Sequence, residues 1–233
     1  MSVARPPQLV PPRPATLDVA DRALVLHPER AVEWPAAQTL FVADLHWGKA
    51  TALRAHGVPV PVGGTADDLA RLDDVLVRTG VRQLVVLGDL AHSWHAWTPA
   101  ALGELLAWRA RWPDLAITLV RGNHDAHGGD PPVLLGIEAV DAPWRLQGVT
   151  CWHEPPEPSA RGTPASLHLA GHLHPTVRLG GRRRAAVRLP CFVQGPSWLM
   201  LPAFSSFTGA GAWQPATGET PWAVVDGEVI ACG

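Results

Sequence analysis

The sequence predicts an α/β fold, with a mainly parallel sheet in its first half and a second half of strands that form or extend a second sheet. Three observations lead there. Short apolar runs alternate with amphipathic helical patterns as far as Val120, the order expected of parallel βαβ units. Past Pro131 the pattern becomes short apolar runs broken by glycine and proline. Finally, five apolar runs finish in carboxylate, carboxamide or imidazole side chains, and α/β sheets gather their ligands at such strand ends. With 233 residues and 47% hydrophobic content the chain is long enough for one large core and short for two. We therefore expect a flexible proline-rich segment over 1–16 and a single domain over 17–233.

Taken in order, Met1 to Arg13 has no apolar stretch of signal-peptide or membrane-spanning length, so it reads as a lead-in. Ala23 to His27, stopped by Pro28, reads as a strand, with His27 in a structural role. Thr39 to Ala43 reads as the next strand and delivers Asp44 and His46. Prolines and glycines from Gly57 to Gly64 forbid a long helix, so residues 50–64 are expected to be a loop, with His56 solvated. Lys49 and Arg54 are candidates for holding a phosphate or for packing and surface roles. From Thr65 to Gly80, Leu69, Leu72, Val75 and Leu76 recur at helical spacing, with Thr65 as N-cap and Gly80 as the stop.

Gln83 to Leu87 is a buried strand that leads through Gly88 to Asp89 and His92. Thr98 caps, and Pro99 opens, a helix that runs to Trp112 with Leu102, Leu105, Leu106 and Trp108 on its apolar face. Leu115 to Val120 delivers Asn123, His124 and Asp125. Val149 to Trp152 delivers His153, and Leu167 to Ala170 delivers Gly171, His172 and His174. A turn at Gly180-Gly181 introduces Arg182-Arg183-Arg184. Strands over 191–194, 197–202 and 222–230 close the chain, the last of them turning at Asp226-Gly227.

Charge and cysteine content narrow the function classes. A net charge of -2 gives no global mark of a nucleic-acid or membrane binder. Lys49 is the only lysine, and the one dense basic run is Arg182 to Arg184, with Arg178 and Arg188 beside it. Such a run suits either a grip on a nucleic-acid backbone or simple solvation. Cys151, Cys191 and Cys232 are odd in number and form no CxxC pair, which fits a reducing compartment, so a cytoplasmic location is expected.

Asp44 and His46 are two residues apart, so in extended backbone they face one side while Leu45 packs behind them. With Asp89, Asn123, His153, His172 and His174 they offer more donors than one ion ordinarily takes, and enough for two ions sharing a carboxylate. The mixture of imidazole with carboxylate or carboxamide suits manganese, iron, zinc or nickel over calcium, and without a cysteine cluster a structural zinc site is excluded. Two such ions form a clamp for displacement at phosphorus.

In order and spacing, Asp44-x-His46, Gly88-Asp89-x-x-His92, Gly122-Asn123-His124-Asp125, His153 and Gly171-His172-x-His174 resemble the five motifs of the calcineurin-like metallophosphoesterase superfamily. The segments 44–50, 54–61, 88–93 and 201–209 are similar to those of the bacterial ligase-associated DNA-damage-response phosphoesterases. The resemblance implies a two-sheet β-sandwich flanked by helices, the four-layer α/β/β/α arrangement, with a dinuclear site at the strand ends. It implies that Asp44, His46, Asp89 and His174 hold one ion. Asp89 as the bridge, with Asn123, His153 and His172, holds the other. His124 is the outer histidine that protonates the leaving oxygen or stabilises phosphoryl charge.

The activity implied is phosphodiester hydrolysis by in-line attack of metal-bound hydroxide, with two divalent ions, manganese first among them. The implied substrate is nucleic acid or a nucleotide-like diester; a DNA ligase and a helicase are the implied partners, and a homo-oligomer is left open. His92 stands where many phosphomonoesterases of the superfamily carry aspartate and where Mre11-like nucleases carry histidine, so Asp89, His92 and His124 form the expected catalytic set of a diesterase. A phosphomonoesterase or nucleotide pyrophosphatase, and a non-catalytic scaffold of the same fold, are the alternatives. Trp94 and His95 read as loop residues beside the cleft or plain loop residues, His127 as solvent-facing and His168 as a satisfied core histidine. Arg121 reads as a phosphate contact or half of an ion pair. The eleven tryptophans read as core and surface filler rather than base-stacking platforms.

Overall fold

A computed structural model of the chain describes residues 11–61, 63–157, 166–180, 187–209, 211, 213–214 and 216–232. The first sheet runs in the order β1 (Ala15–Val19), β2 (Arg22–His27), β3 (Ala31–Trp34), β4 (Thr39–Val42), β5 (Gln83–Leu87), β6 (Ala116–Val120) and β7 (Ile137–Val140). Its first four strands form an antiparallel meander, and β4 to β7 are parallel. The parallel half needs crossovers, which are α1 (Lys49–Ala55), α2 (Gly64–Thr79), α3 (Pro99–Arg109) and the short α4 (Asp125–Gly128).

The second sheet contains β8 (Trp144–Leu146), β9 (Val149–Cys151), β10 (Leu167–Ala170), β11 (Thr176–Leu179), β12 (Val187–Gln194), β13 (Trp198–Met200), β14 (Thr220–Val225) and β15 (Glu228–Ala231). Its spatial order is β15-β14-β12-β13-β10-β9-β8, with β11 paired to β12. The strands β9, β10 and β13 are mutually parallel; the other pairings are antiparallel. Both sheets therefore place a parallel set of strands where the chain must deliver ligands from carboxyl ends.

The strict period of two decides which layer each side chain enters. Along β4 and β5, Leu40, Val42, Leu84 and Val86 face α2 and α3, where they meet Leu69, Leu72, Val75, Leu76, Leu105 and Trp108. Their neighbours Phe41, Val85 and Leu87 face the second sheet and meet Val149, Cys151, Leu169, Phe192 and Leu199. A third apolar cluster on the outer face of the second sheet, Cys191, Val193, Trp198 and Met200, is covered by Leu173, Val177 and Trp213. Phe41 and Phe192 are fully buried between the sheets, and truncating such a ring to alanine costs about 3–5 kcal/mol. The sandwich with flanking helices is the fold class expected from the motifs.

Several local expectations are corrected. The first strand begins at Ala15, just ahead of the expected start at residue 17, and Arg13 is tied to Glu228 by an ion pair of 2.8 Å. Short β1 and β3 were not expected as strands; they form because the meander supplies partners on both sides of β2. Residues 50–55, expected as loop, lie in the short helix α1, which starts at Lys49 from the left-handed backbone of Gly48, with no side-chain cap to betray it in the sequence. The cap of α2 is Gly63 rather than Thr65. The third helix ends at Arg109, short of Trp112.

Candidate metal centre

The loops after β4 and β5 continue side by side beyond their strands. The main-chain N–H groups of Asp44, His46 and Trp47 donate to the carbonyl oxygens of Gly88, Asp89 and Leu90 (3.1, 2.8 and 2.8 Å), and His92 N–H donates back to Trp47 O (2.9 Å). Beneath them lies the buried carboxylate of Asp125. It accepts from the N–H groups of Asp89 and Gly122 (both 2.8 Å) and of Ala91 (3.2 Å), so one side chain sets the position of two motif loops. Burial raises its pKa, and those three donors oppose the rise. The sequence placed Asp125 at a strand end without a role; its signal was the carboxylate that follows the Gly-Asn-His triplet.

Two ligand sets converge on this frame. In the first, His174 Nε2 lies 3.4 Å from both Asp44 Oδ1 and His46 Nε2, and His46 Nε2 lies 3.9 Å from Asp89 Oδ2. In the second, His153 Nε2 lies 3.4 Å from Asp89 Oδ1, 3.0 Å from His172 Nδ1 and 2.9 Å from Asn123 Oδ1. Asp89 faces both sets with different oxygens. All the expected ligands are thus brought together, from both sheets.

Five of the seven ligands share an uncommon backbone conformation. Asp44, His46, Asp89, His172 and His174 all adopt positive φ (56°, 48°, 52°, 71° and 43°). Left-handed backbone is unfavourable for residues with a Cβ and persists where the surroundings over-determine it. Here it swings side chains off the strand direction into a common space. Glycines make the approach close enough: a Cβ on Gly88 would overlap the ring of His153, and one on Gly122 would overlap Asp89 Oδ1.

The polar atoms in that space fit cations. His153 Nδ1–H donates to Leu87 O (3.0 Å), which leaves the Nε2 lone pair pointing at the Asp89 carboxylate, an acceptor. Asp44 is fully buried, and its Oδ1 finds no hydrogen-bond donor among the described residues. Burial, Lys49 and the neighbouring imidazoles push His46 down to about 2, and burial with the His153 ring lowers His172. These imidazoles are therefore neutral at neutral pH, the state that ligates metal. Two buried carboxylates beside converging lone pairs call for positive charge, and the trios Asp44/His46/His174 and Asp89/His153/His172 can each hold an ion.

Residues 37–150 match the family model for calcineurin-like phosphoesterases. The solved structure of Pseudomonas putida nuclease MPE is 37% identical, with 94% of this chain and 100% of that chain covered at a TM-score of 0.81. The chain belongs to the calcineurin-like phosphoesterase family. Membership makes it a metallophosphoesterase and implies two divalent ions, for which the two trios are the matching donors. Yfce, a phosphoesterase from E. coli, matches at 18% identity over 82% of this chain and 96% of that chain, with a TM-score of 0.42. No curated protein matches.

Around the centre of this phosphoesterase, His124 donates its main-chain N–H to Asp89 Oδ1 (2.9 Å) and its Nδ1–H to His92 O (3.2 Å). Its Nε2 is left facing the cleft, 4.0 Å from Asp89 Oδ2. The His92 ring stacks on it at 4.9 Å and is pushed down to about 4 by burial, Lys49 and the imidazoles of His124 and His95. Lys49 opens α1 close enough to Asp89 and Asp44 to feel both; burial lowers its pKa, and the two carboxylates oppose this.

The other candidates have ordinary partners. Arg121 forks onto Asp130 (2.7 and 2.8 Å) and reaches Asp141 (2.8 Å), the ion-pair alternative. His27 sits between Glu33 (2.9 Å) and Arg78 (3.3 Å), and His168 accepts from Trp152 Nε1–H (3.1 Å). Arg54 donates to Pro61 O, and exposed His56 bonds Ala52 O. His127 bonds Asn123 O, and exposed Trp94 stacks on His95. The expectation for Arg182 to Arg184 lies outside the described residues. Among those residues no helix is long and apolar enough to cross a membrane.

Proposed function

We propose that this metallophosphoesterase is a phosphodiesterase that cleaves nucleic acid or a nucleotide-like diester, with manganese as the working metal. The observation that carries the reading is the placement of His124: an imidazole Nε2 left open beside Asp89, stacked on a second imidazole, His92, rather than on a carboxylate. The near full-length likeness to a protein described as a nuclease supports it. Asp44, His46, Asp89 and His174 would hold one ion, and Asp89, Asn123, His153 and His172 the other. Bound there, two divalent ions would neutralise phosphoryl charge and lower the pKa of the attacking water.

The chain's own groups do the rest. Leu87 O fixes the tautomer of His153, and Asp125 holds the backbone that aims Asp89. His92 O orients His124 so that a protonated Nε2–H meets the leaving oxygen as the phosphorus–oxygen bond breaks, and the proton passes to that oxygen. His92, neutral at pH 7, adds packing and no competing charge. The same reading puts the catalytic unit in a single domain, in the cytoplasm, with a role in DNA repair beside a ligase and a helicase.

The test is manganese-dependent hydrolysis of bis(p-nitrophenyl) phosphate beside p-nitrophenyl phosphate. We expect faster turnover of the diester, abolished by Asp89→Asn and strongly reduced by His124→Ala. Preference for the monoester would replace this reading with a small-molecule phosphatase, and metal-loaded protein inert on both would favour a scaffold.

A further inference from the structure

A cavity of about 230 Å³ opens directly off the metal centre, because His174, one of the first ligand trio, forms part of its wall. Beyond His174 the polar part of the wall is made by Thr176, Arg188, Arg30, Ser206 and Thr208, set among prolines and small residues. Three of these groups are already engaged. Ser206 Oγ–H donates to Asp68 (3.0 Å), and Thr208 Oγ1–H donates to Ser205 O (3.1 Å). Arg30 donates to the carbonyl oxygens of Ala203 and Ser205 (3.2 and 3.1 Å), so it forms a fixed positive floor. Thr176 and Arg188 have no side-chain partner among the described residues, and their donors remain to be used.

The register of the β11–β12 hairpin extends this cationic wall. Arg178 lies directly opposite Arg188, and Thr176 opposite Pro190. Residues two apart share a face, so Thr176, Arg178, Arg188 and Pro190 lie on one side. Val177, Cys191 and Val193 take the other, where they pack into the apolar cluster on that face. Like charges directly opposite each other are unfavourable in a sheet. Both arginines are exposed, and neither has an acidic partner among the described residues. A strand pair that begins two residues after a metal-site histidine thus carries two uncompensated guanidinium groups away from the centre along one face.

We propose that this cavity seats a second phosphate of a single nucleic-acid strand, adjacent to the phosphate at the metal centre, and that Arg188 followed by Arg178 tracks the strand's backbone. The inference rests on the phosphodiesterase reading and deepens it. A phosphate matches the unengaged donors of Thr176 and Arg188 above a positive floor, and contacts of this kind carry no sequence information. DNA and RNA share the chemistry, and only the sugar distinguishes them.

The experiment measures binding, so it does not depend on turnover. Metal-loaded wild type, Arg188→Gln, Arg178→Gln and Arg82→Gln are titrated by fluorescence anisotropy with labelled phosphorothioate strands of DNA and of RNA, each about 12 nucleotides long. Arg82 is an exposed arginine just before β5, at the end of that strand remote from Asp89, and serves as the charge-matched control. Arg188→Gln is expected to weaken binding roughly fivefold to tenfold at low salt and to lower the salt slope by about 0.7. Arg178→Gln is expected to weaken it less, and Arg82→Gln to bind as wild type.

Loss on both strands, or on one alone, supports the track and identifies the sugar it accepts. Binding by Arg188→Gln equal to that of Arg82→Gln on both strands overturns it. Hydrolysis of bis(p-nitrophenyl) phosphate, which has no second phosphate, is measured on the same wild-type sample. If the diester is not hydrolysed, the phosphodiesterase reading falls, and the binding result still decides the track.

Discussion

The two sheets contribute to the centre in different currencies. From the first come both carboxylates, Asp44 and Asp89, with His46 and Asn123 beside them, on a backbone network that Asp125 anchors from below. From the second come imidazoles, His153, His172 and His174, which register themselves on the first. The N–H of His172 donates to Asp44 Oδ2 (3.0 Å), and His153 donates through Nδ1–H to Leu87 O. The carboxylate half is thus a template with its own support, and the imidazole half is placed against it. Both acidic ligands thus come from the first sheet, and the second sheet supplies imidazoles alone.

The comparison is broken most severely at the one residue that serves both ligand sets. Asp89→Asn is expected to lose on the order of a thousandfold in metal-dependent diester hydrolysis, since a divalent ion contributes several kcal/mol to such a reaction. An activity within tenfold of wild type would show that Asp89 does not bridge.

Next in size is the template's anchor. Asp125→Asn keeps one acceptor oxygen and turns its NH2 donor toward at least one of the three N–H groups that Asp125 now receives, at a cost of about 1–3 kcal/mol in stability by urea denaturation. Activity is expected to fall roughly 10–100-fold, as for other partners that orient ligands. The matching change on the imidazole side has no equivalent, because there the orienting acceptor is the main-chain oxygen of Leu87. Unchanged stability of Asp125→Asn would remove the asymmetry.

His92→Asp sharpens the contrast by placing a carboxylate on the ring of His124. A nearby negative charge favours the protonated imidazole. The limb on which activity falls with rising pH is then expected to move up by about one unit. The pH profile of kcat/KM is the measurement, and an unmoved limb would separate the two rings functionally.

The smallest effect concerns a buried imidazole in the first sheet that lies away from the centre. Burial holds His27 below its ordinary value, with Glu33 opposing. The unfolded chain therefore takes up the proton first. The stability that neutral His27 contributes is complete above pH 6.5 and is lost as pH falls from there toward the folded value. Between pH 7.5 and 5.5 wild type is expected to lose about 1–2 °C more in Tm than His27→Gln. An equal loss would assign the acid sensitivity elsewhere.

Much of this architecture was legible because its signals are local. Strands β4, β5, β6 and β10 are mainly apolar runs that stop within a residue or two of a glycine or a ligand, and α2 has an unbroken helical period. The motif glycines are read from the same stretches, and the structure gives their reason, the contacts of Gly88 with His153 and of Gly122 with Asp89. What stayed hidden depends on distant partners or on backbone angle. Strands β1 and β3 are defined by the neighbours they pair with, and α1 by the turn at Gly48. The three bonds of Asp125 come from two loops that only the fold brings together. Positive φ at Asp44, His46, Asp89, His172 and His174 leaves only a weak trace, because aspartate and histidine are enriched in left-handed backbone but adopt it in a minority of cases.

The central claim is that the carboxylate and imidazole halves close around two ions that share Asp89. The direct measurement is the manganese content of the protein after saturation and removal of free metal, with anomalous scattering from crystals to place the ions. We predict two equivalents per chain, one beside Asp44, His46 and His174 and one beside Asp89, His153 and His172, with both occupancies reduced in Asp89→Asn. A single ion, or two ions that Asp89→Asn leaves unaffected, would contradict the account.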